Sequence, residues 1–148
     1  MISNTLASQL LNLITGKTQS VAYGNMYIGL STTVPSLNSS TGAIENVTEP
    51  DTANGYAREL IGSSTIASTQ IFGTVAYDST NSCFTISNTS QIKFNKATSA
   101  WGTIKAFCLY SAATGGTPLF YGTLTSDVTV SANQSCNIAV GSAVLKLY

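Results

Sequence analysis

The chain has 148 residues and no net formal charge, and only 8% of its residues are charged. At this length folding buries roughly 70% of the unfolded surface, which predicts a single domain over residues 1–148. The chain has no histidine, which excludes Ser-His-Asp and Cys-His catalysis, and its dispersed basic residues argue against nucleic acid as a partner.

The first predicted element is an amphipathic helix over residues 4–15. Its apolar residues recur at three- and four-residue spacing, Ser3 or Asn4 can cap its start, and Gly16 can end it. Two interpretations stay open. The helix is either a lid packed on a sheet of its own chain or a docking helix that buries its apolar stripe on a neighbouring subunit.

After Gly24 the apolar pattern changes to short runs with two-residue alternation, which is typical of strands. We therefore expect a mainly β protein, an antiparallel β-sandwich of the Ig-like or jelly-roll-like kind with one short N-terminal α-helix. The predicted strands cover residues 25–31, 56–61, 71–77, 83–87, 91–94, 102–110, 119–124, 128–130 and 137–147.

Two of these strands carry further expectations. The run from 103 to 110 is apolar on both faces, which predicts a central strand covered on both sides. Gly141 interrupts the last run and is predicted to bend or bulge that strand.

Residues 34–54 form one long irregular stretch, which holds three of the six acidic residues, Glu45, Glu49 and Asp51. A loop of this length is either functional or a solvated connection. Arg58 follows the loop and could pair with Glu49 or Asp51, which would pin the loop to the sheet. The alternative is an exposed arginine that contributes little to stability.

The sequence predicts no catalytic, cofactor-binding or metal-binding residues, and we expect the protein not to be an enzyme. A paired-carboxylate hydrolase is the one enzyme class left, and its two acids would have to face each other across a cleft. A calcium site at the acidic loop would lack the EF-hand spacing. The candidate acids are Glu45, Glu49, Asp51, Glu59, Asp78 and Asp127.

Three cysteines, Cys83, Cys108 and Cys136, lie far apart in apolar or β-rich runs. Their odd number and wide spacing favour buried thiols over a disulfide framework or a zinc site. The first residues lack the basic region of a signal peptide, and no apolar run approaches the ~18 residues of a membrane span. We expect synthesis in a reducing cytoplasm and no membrane partner.

The aromatic residues could bind sugars, because each presents a flat apolar face with a polar edge. Trp101 stands at the start of the longest apolar strand, where core packing is the favoured interpretation and an exposed platform is the alternative. The candidate aromatic residues are Trp101, Tyr23, Tyr27, Tyr56, Tyr77, Tyr110 and Tyr121.

Four pieces of sequence, in this order, resemble a known family. A short leucine helix is followed by MYIGLSTTVP at 26–35, and the acidic loop closes with TEP at 48–50 and GYAR at 55–58. Then come IKF at 92–94 with AWG at 100–102, and LYSAATGG at 109–116 with LFYG at 119–122. The chain resembles the small virion proteins of tailed bacteriophages that are described as tail-fibre-like, head-fibre or capsid-decorating proteins.

The resemblance implies a non-enzymatic structural protein of the virion, made in the cytoplasm of the bacterial host. Its expected partners are other virion proteins of the capsid, the portal and neck, or the tail. A homo-oligomer, a trimer or a dimer, is expected from the resemblance and from the prevalence of closed symmetry. The alternative is a receptor-binding module of a fibre that recognises a host surface glycan.

Overall fold

A computed structural model of the protein describes residues 1–17, 24–63 and 70–147. In these residues the fold is mainly β, with antiparallel sheets and one short N-terminal helix, and this confirms the predicted fold class. The elements are α1 (Asn4–Ile14), β1 (Asn25–Ser31), β2 (Ser36–Leu37), β3 (Ile44–Glu45), β4 (Glu59–Ser63), β5 (Ala76–Asp78), β6 (Cys83–Ser87), β7 (Ile92–Lys96), β8 (Gly102–Tyr110), β9 (Phe120–Val130), β10 (Ser135–Ile138) and β11 (Val144–Leu147).

Helix α1 has the two caps that the sequence predicts. The Ser3 hydroxyl accepts a hydrogen bond from the Leu6 amide at 3.3 Å. The helix ends at Thr15, and Gly16 follows with a φ of 72°, a backbone conformation that suits glycine. The Ser3 amide also donates to the Leu119 carbonyl at 2.9 Å, so the start of α1 is tied to the residue before β9.

The main sheet has the strand order β4-β1-β8-β9, and all its pairs are antiparallel. Strand β8 lies between β1 and β9, and its residues 106–110 are all buried. Ile28 and Leu30 of β1 are fully buried beside it. The predicted central strand, covered on both faces, is therefore confirmed.

A second layer covers one face of the main sheet. Ile92 and Phe94 of β7 and Ile138 of β10 join Ile28 and Ile104 of the main sheet in one buried apolar cluster. Two further antiparallel sheets, with the strand orders β11-β6-β5 and β2-β3, complete the described architecture. This packing of sheet against sheet is that of a sandwich.

Trp101 belongs to the core, as the favoured interpretation predicts. Its side chain is 4% exposed, and its indole Nε1 donates to the Asn54 carbonyl at 2.8 Å. Its ring meets the Tyr56 ring edge-on, with 5.4 Å between centroids. The indole therefore plugs the core and links the residues before β4 to the start of β8.

The predicted strand bounds need correction at five places. In place of the predicted strands at 56–61 and 71–77, the structure has β4 at 59–63 and β5 at 76–78. The predicted strand at 91–94 corresponds to β7, which covers residues 92–96. The two predicted strands at 119–124 and 128–130 are one strand, β9, with a register irregularity opposite Lys105. Backbone pairing partners, which are remote in sequence, decide these bounds.

The predicted strand over residues 137–147 is wrong, because the chain changes sheets there. Strand β10 pairs with β7, and β11 pairs with β6. Gly141, with a φ of 74°, lies in the connection between them. The buried Asn88 side chain holds this connection by donating to the Ala139 carbonyl and accepting from the Ala143 amide, at 2.8 and 2.9 Å.

Residues 34–54 are more ordered than the predicted irregular loop. They contain the β2–β3 hairpin and a short 3-10 helix, Thr52–Asn54. The Asn38 carboxamide oxygen accepts from the Ser40 and Thr41 amides in the turn of the hairpin. Local side-chain hydrogen bonds of this kind leave little apolar signal in a sequence.

Cys83, Cys108 and Cys136 are buried free thiols, as predicted. Burial raises the pKa of the Cys108 thiol to about 12, so the thiol stays protonated at neutral pH. In the described part of the chain, no helix is long and apolar enough to cross a membrane.

Candidate functional site

The most extensive polar arrangement in the described residues surrounds Arg58, which lies just before β4. Its guanidinium group binds Glu49 with both arms, with Nε 2.9 Å from Oε1 and Nη2 2.5 Å from Oε2. The Arg58 side chain is 5% exposed and that of Glu49 is 25% exposed. The predicted pin therefore exists, and of its two predicted partners the structure selects Glu49.

The same guanidinium also binds the turn that follows β8. Arg58 Nη1 donates to the carbonyls of Ala112 and Gly115 at 2.9 and 2.7 Å. The guanidinium carbon lies 3.3 Å from the centre of the Tyr110 ring, a cation–π contact. One side chain thus joins the acidic loop, the start of β4 and the turn at residues 111–116.

Tyr56 and Gly29 complete the surroundings of the Glu49 carboxylate. The Tyr56 hydroxyl donates to Glu49 Oε1 at 2.7 Å and accepts from the Leu30 amide at 2.8 Å. A Cβ atom on Gly29 would lie 2.7 Å from Glu49 Oε1, so only glycine lets the carboxylate approach β1 this closely. We call Gly29, Glu49, Tyr56, Arg58 and Tyr110 the arginine cluster.

The pKa shifts of Tyr56, Tyr110 and Arg58 keep these groups of the arginine cluster in one protonation state at neutral pH. Burial raises the pKa of the Tyr56 phenol, and the negative charge of Glu49 raises it further. Burial also raises the pKa of Tyr110. Burial by itself lowers the pKa of Arg58, but the hydrogen bonds and charge of Glu49 outweigh this, and the net shift is upward. Both phenols stay neutral and Arg58 stays charged near pH 7.

Two of the three acids of the loop, Glu45 and Glu49, line one cleft of about 310 Å³ beside Arg58, and Asp51 does not line it. Glu49 binds Arg58 and Tyr56, Glu45 accepts from the side-chain amide of Asn38 at 2.8 Å, and Asp51 accepts from the backbone amide of Ala53 at 2.9 Å. The described residues hold no group of three or more acidic and cysteine side chains that could bind a metal. The other candidate acids lie on separate strands, Glu59 on β4, Asp78 on β5 and Asp127 on β9.

The aromatic candidates are divided between core and surface. Tyr56, Tyr110 and Trp101 are buried, and Tyr23 lies outside the described residues. Tyr77 is 59% exposed and lies against Phe84, which is 54% exposed, with 5.3 Å between ring centroids. Sequence analysis missed this pair because the two rings meet only through the pairing of β5 with β6.

A second feature of the surface is a groove beside α1. It has a volume of about 250 Å³ and is lined almost wholly by apolar side chains. Leu6 and Leu10 of α1 form one wall, and Val75, Phe84 and Leu147 form the other. We call these five residues the α1 groove.

The outer side of α1 is also apolar. Leu11 is 63% exposed and Ile14 is 78% exposed, and no residue of α1 is fully buried. We call Leu11 and Ile14 the α1 ridge. The helix therefore rests on its own chain along one edge of its apolar stripe and leaves the other edge open, so the structure combines features of both predicted interpretations.

We expect Arg58→Ala to lower the free energy of unfolding by about 3 kcal/mol, because it leaves the partly buried Glu49 carboxylate without its cation. Protease cutting within residues 40–54 should increase, since the loop loses its pin. Urea unfolding and limited proteolysis with mass spectrometry measure the two effects. Lys93→Ala, at an exposed site of β7, is the matched control. Unchanged protease cutting in Arg58→Ala would contradict the role of Arg58 in pinning the loop.

We expect wild-type stability to fall as the pH rises above about 10, the ordinary pKa of tyrosine. Above that pH the unfolded chain releases the Tyr56 proton and the native state retains it, so unfolding becomes more favourable. Below that pH both states hold the proton and the contribution is complete.

Tyr56→Phe should show a shallower alkaline decline, with stability at pH 7 lower by about 1–3 kcal/mol because the Leu30 amide loses its acceptor. Free energies of unfolding between pH 7 and 11, measured beside Tyr77→Phe as the exposed control, test this. Alkaline limbs of equal slope in wild type and Tyr56→Phe would contradict it.

Comparison with known proteins gives one family. A family model described as "Podophage GP4 fiber I protein gp80" matches residues 1–146, a range that includes α1, every strand of the main sheet and the arginine cluster. The curated proteins contain no match to this sequence. The resemblance to phage virion proteins is thereby confirmed at the level of a fibre-type protein. The chain belongs to the podophage GP4 fiber I protein gp80 family.

Proposed function

We propose that this phage virion fibre protein is non-enzymatic and works by self-association, as a dimer or trimer, and by docking on other virion proteins. Those proteins belong to the capsid, the portal and neck, or the tail. The proposed positions of this chain on the particle include capsid decoration and a head fibre. The observation that carries the proposal is the family match over residues 1–146, which covers the core and the exposed apolar surface together.

The distribution of charge supports a structural role. The chain has no histidine, and Glu49 and Arg58 neutralise each other inside the arginine cluster. A catalytic acid or base needs a pKa near the working pH and access to a substrate. Both carboxylate oxygens of Glu49 are bound, by Tyr56 and Arg58, so this acid is not free to act as a general acid or base.

The cysteines support synthesis in the cytoplasm of the bacterial host, which is also part of the proposal. Cys83, Cys108 and Cys136 are all free and buried. A reducing compartment keeps such thiols unpaired during folding. We propose neither nucleic acid nor a membrane as a partner, because no cluster of basic residues is present in the sequence.

Localisation in the intact particle tests the proposal. We expect an antibody against this chain, or its density in an image of the virion, to mark a fibre or its attachment site on every particle. Particles made without the chain should lack that density. A protein absent from purified virions but abundant in infected cells would contradict the structural role.

A glycan-binding module at a fibre is the second candidate, and the exposed Tyr77–Phe84 pair is the observation that favours it. Exposed aromatic rings can stack on the apolar faces of sugars. Binding on an array of host surface glycans that is lost in Tyr77→Ala and kept in Tyr27→Ala would select this candidate. Absence of binding to every glycan on the array would contradict this candidate and favour a protein contact at the Tyr77–Phe84 pair.

A further inference from the structure

We propose that the α1 ridge of one copy packs into the α1 groove of a second copy, and that this contact is the self-association interface. The inference rests on the proposed function, and it names the surface and the occupant that self-association requires. Four properties of α1 and its surroundings support it.

The first property is the incomplete burial of α1. The helix has eleven residues, and none of them is fully buried. Isolated helices of this length are marginal in water, and most helical stability in proteins comes from packing of the apolar face. Leu11 and Ile14, at 63% and 78% exposure, are the most exposed part of that face in the described structure, and Leu13 beside them is 39% exposed.

The second property is the match in size between ridge and groove. The groove has a volume of about 250 Å³, and an apolar cavity of about 150 Å³ is enough to hold benzene. The groove can therefore take one or two large aliphatic side chains, which is what the α1 ridge presents. Val75 and Phe84 on the far wall are 64% and 54% exposed, so the groove is open to an incoming side chain.

The third property is the lack of charge, which favours a second copy as the occupant. None of the eleven residues of α1 is charged, and Lys146 is the one charged residue that lines the groove. A partner protein with a charged surface would gain no electrostatic selectivity at this uncharged helix. Two identical copies meet here without like-charge repulsion. Ridge and groove belong to the same chain, as a self-complementary interface requires.

The fourth property is the area available. Among the described residues, eight of the eleven exposed large apolar side chains lie on α1, at the adjoining Met1, or on and beside the β11-β6-β5 sheet. At roughly 100 Å² of exposed area each, these side chains offer about 800 Å² per copy. This is the area that each partner buries in a stable interface of standard size. The remaining three, Val34, Val128 and Val140, are scattered elsewhere.

The test compares self-association of wild type with that of Leu11→Gln/Ile14→Gln. Both replaced side chains are exposed, and glutamine is a good helix former, so the fold and the helix content by circular dichroism should stay unchanged. Val34→Gln/Val140→Gln is the matched control, at 53% and 61% exposure away from α1. Val75→Gln alters the groove wall without touching the helix.

We expect wild type and the control to sediment as the same oligomer. Leu11→Gln/Ile14→Gln should associate about 100-fold more weakly, and Val75→Gln should weaken association in the same direction. A full-strength oligomer in Leu11→Gln/Ile14→Gln would overturn this interface and leave self-association through another surface.

A wild type that stays monomeric up to about 100 µM, where a Kd of about 10 µM would be visible, would overturn both this interface and the proposed self-association. If that monomer entered virions and Leu11→Gln/Ile14→Gln did not, the occupant of the surface would be a different virion protein, and a second copy would be excluded.

Discussion

The guanidinium group of Arg58 holds together three segments that are distant in the sequence. It binds the Glu49 carboxylate, two carbonyls of the turn at 111–116 and the face of Tyr110. Burying a charge is costly unless it is paired and its hydrogen-bonding groups are satisfied. In the described residues no buried side-chain nitrogen or oxygen lacks a hydrogen-bond partner, so that cost is met within the chain. The position of Glu49, near the end of the acidic loop, follows from this requirement.

The same arrangement shapes the outer surface. The chain has only six basic and six acidic residues, and the cluster removes one of each from competition for partners. Among the described residues, most of the exposed large apolar side chains lie on or beside α1 and the β11-β6-β5 sheet. A weakly charged surface gives little protection against association, which is consistent with the proposed self-association.

Local patterns in the sequence predict the elements that local patterns control. Strands β1, β6 and β8 have the predicted bounds, since their alternation or continuous apolar character is complete within each strand. The pairing of Arg58 with an acid of the loop was also predictable from charge alone. The carbonyls of Ala112 and Gly115 and the amide of Leu30 were not, because backbone groups are present at every position and carry no sequence signal.

Hydrogen exchange of α1 in fibres purified from virions tests most directly whether the exposed apolar surface is an assembly interface. In the isolated chain, α1 has no fully buried side chain and is covered along one edge only, so its amides should exchange much faster than those of the core strands. We expect the amides of α1 in the assembled fibre to exchange at least about 100-fold more slowly than in the isolated chain, because a neighbouring subunit covers the helix. Exchange of α1 in the fibre at the rate of the isolated chain would contradict a role for this surface in assembly.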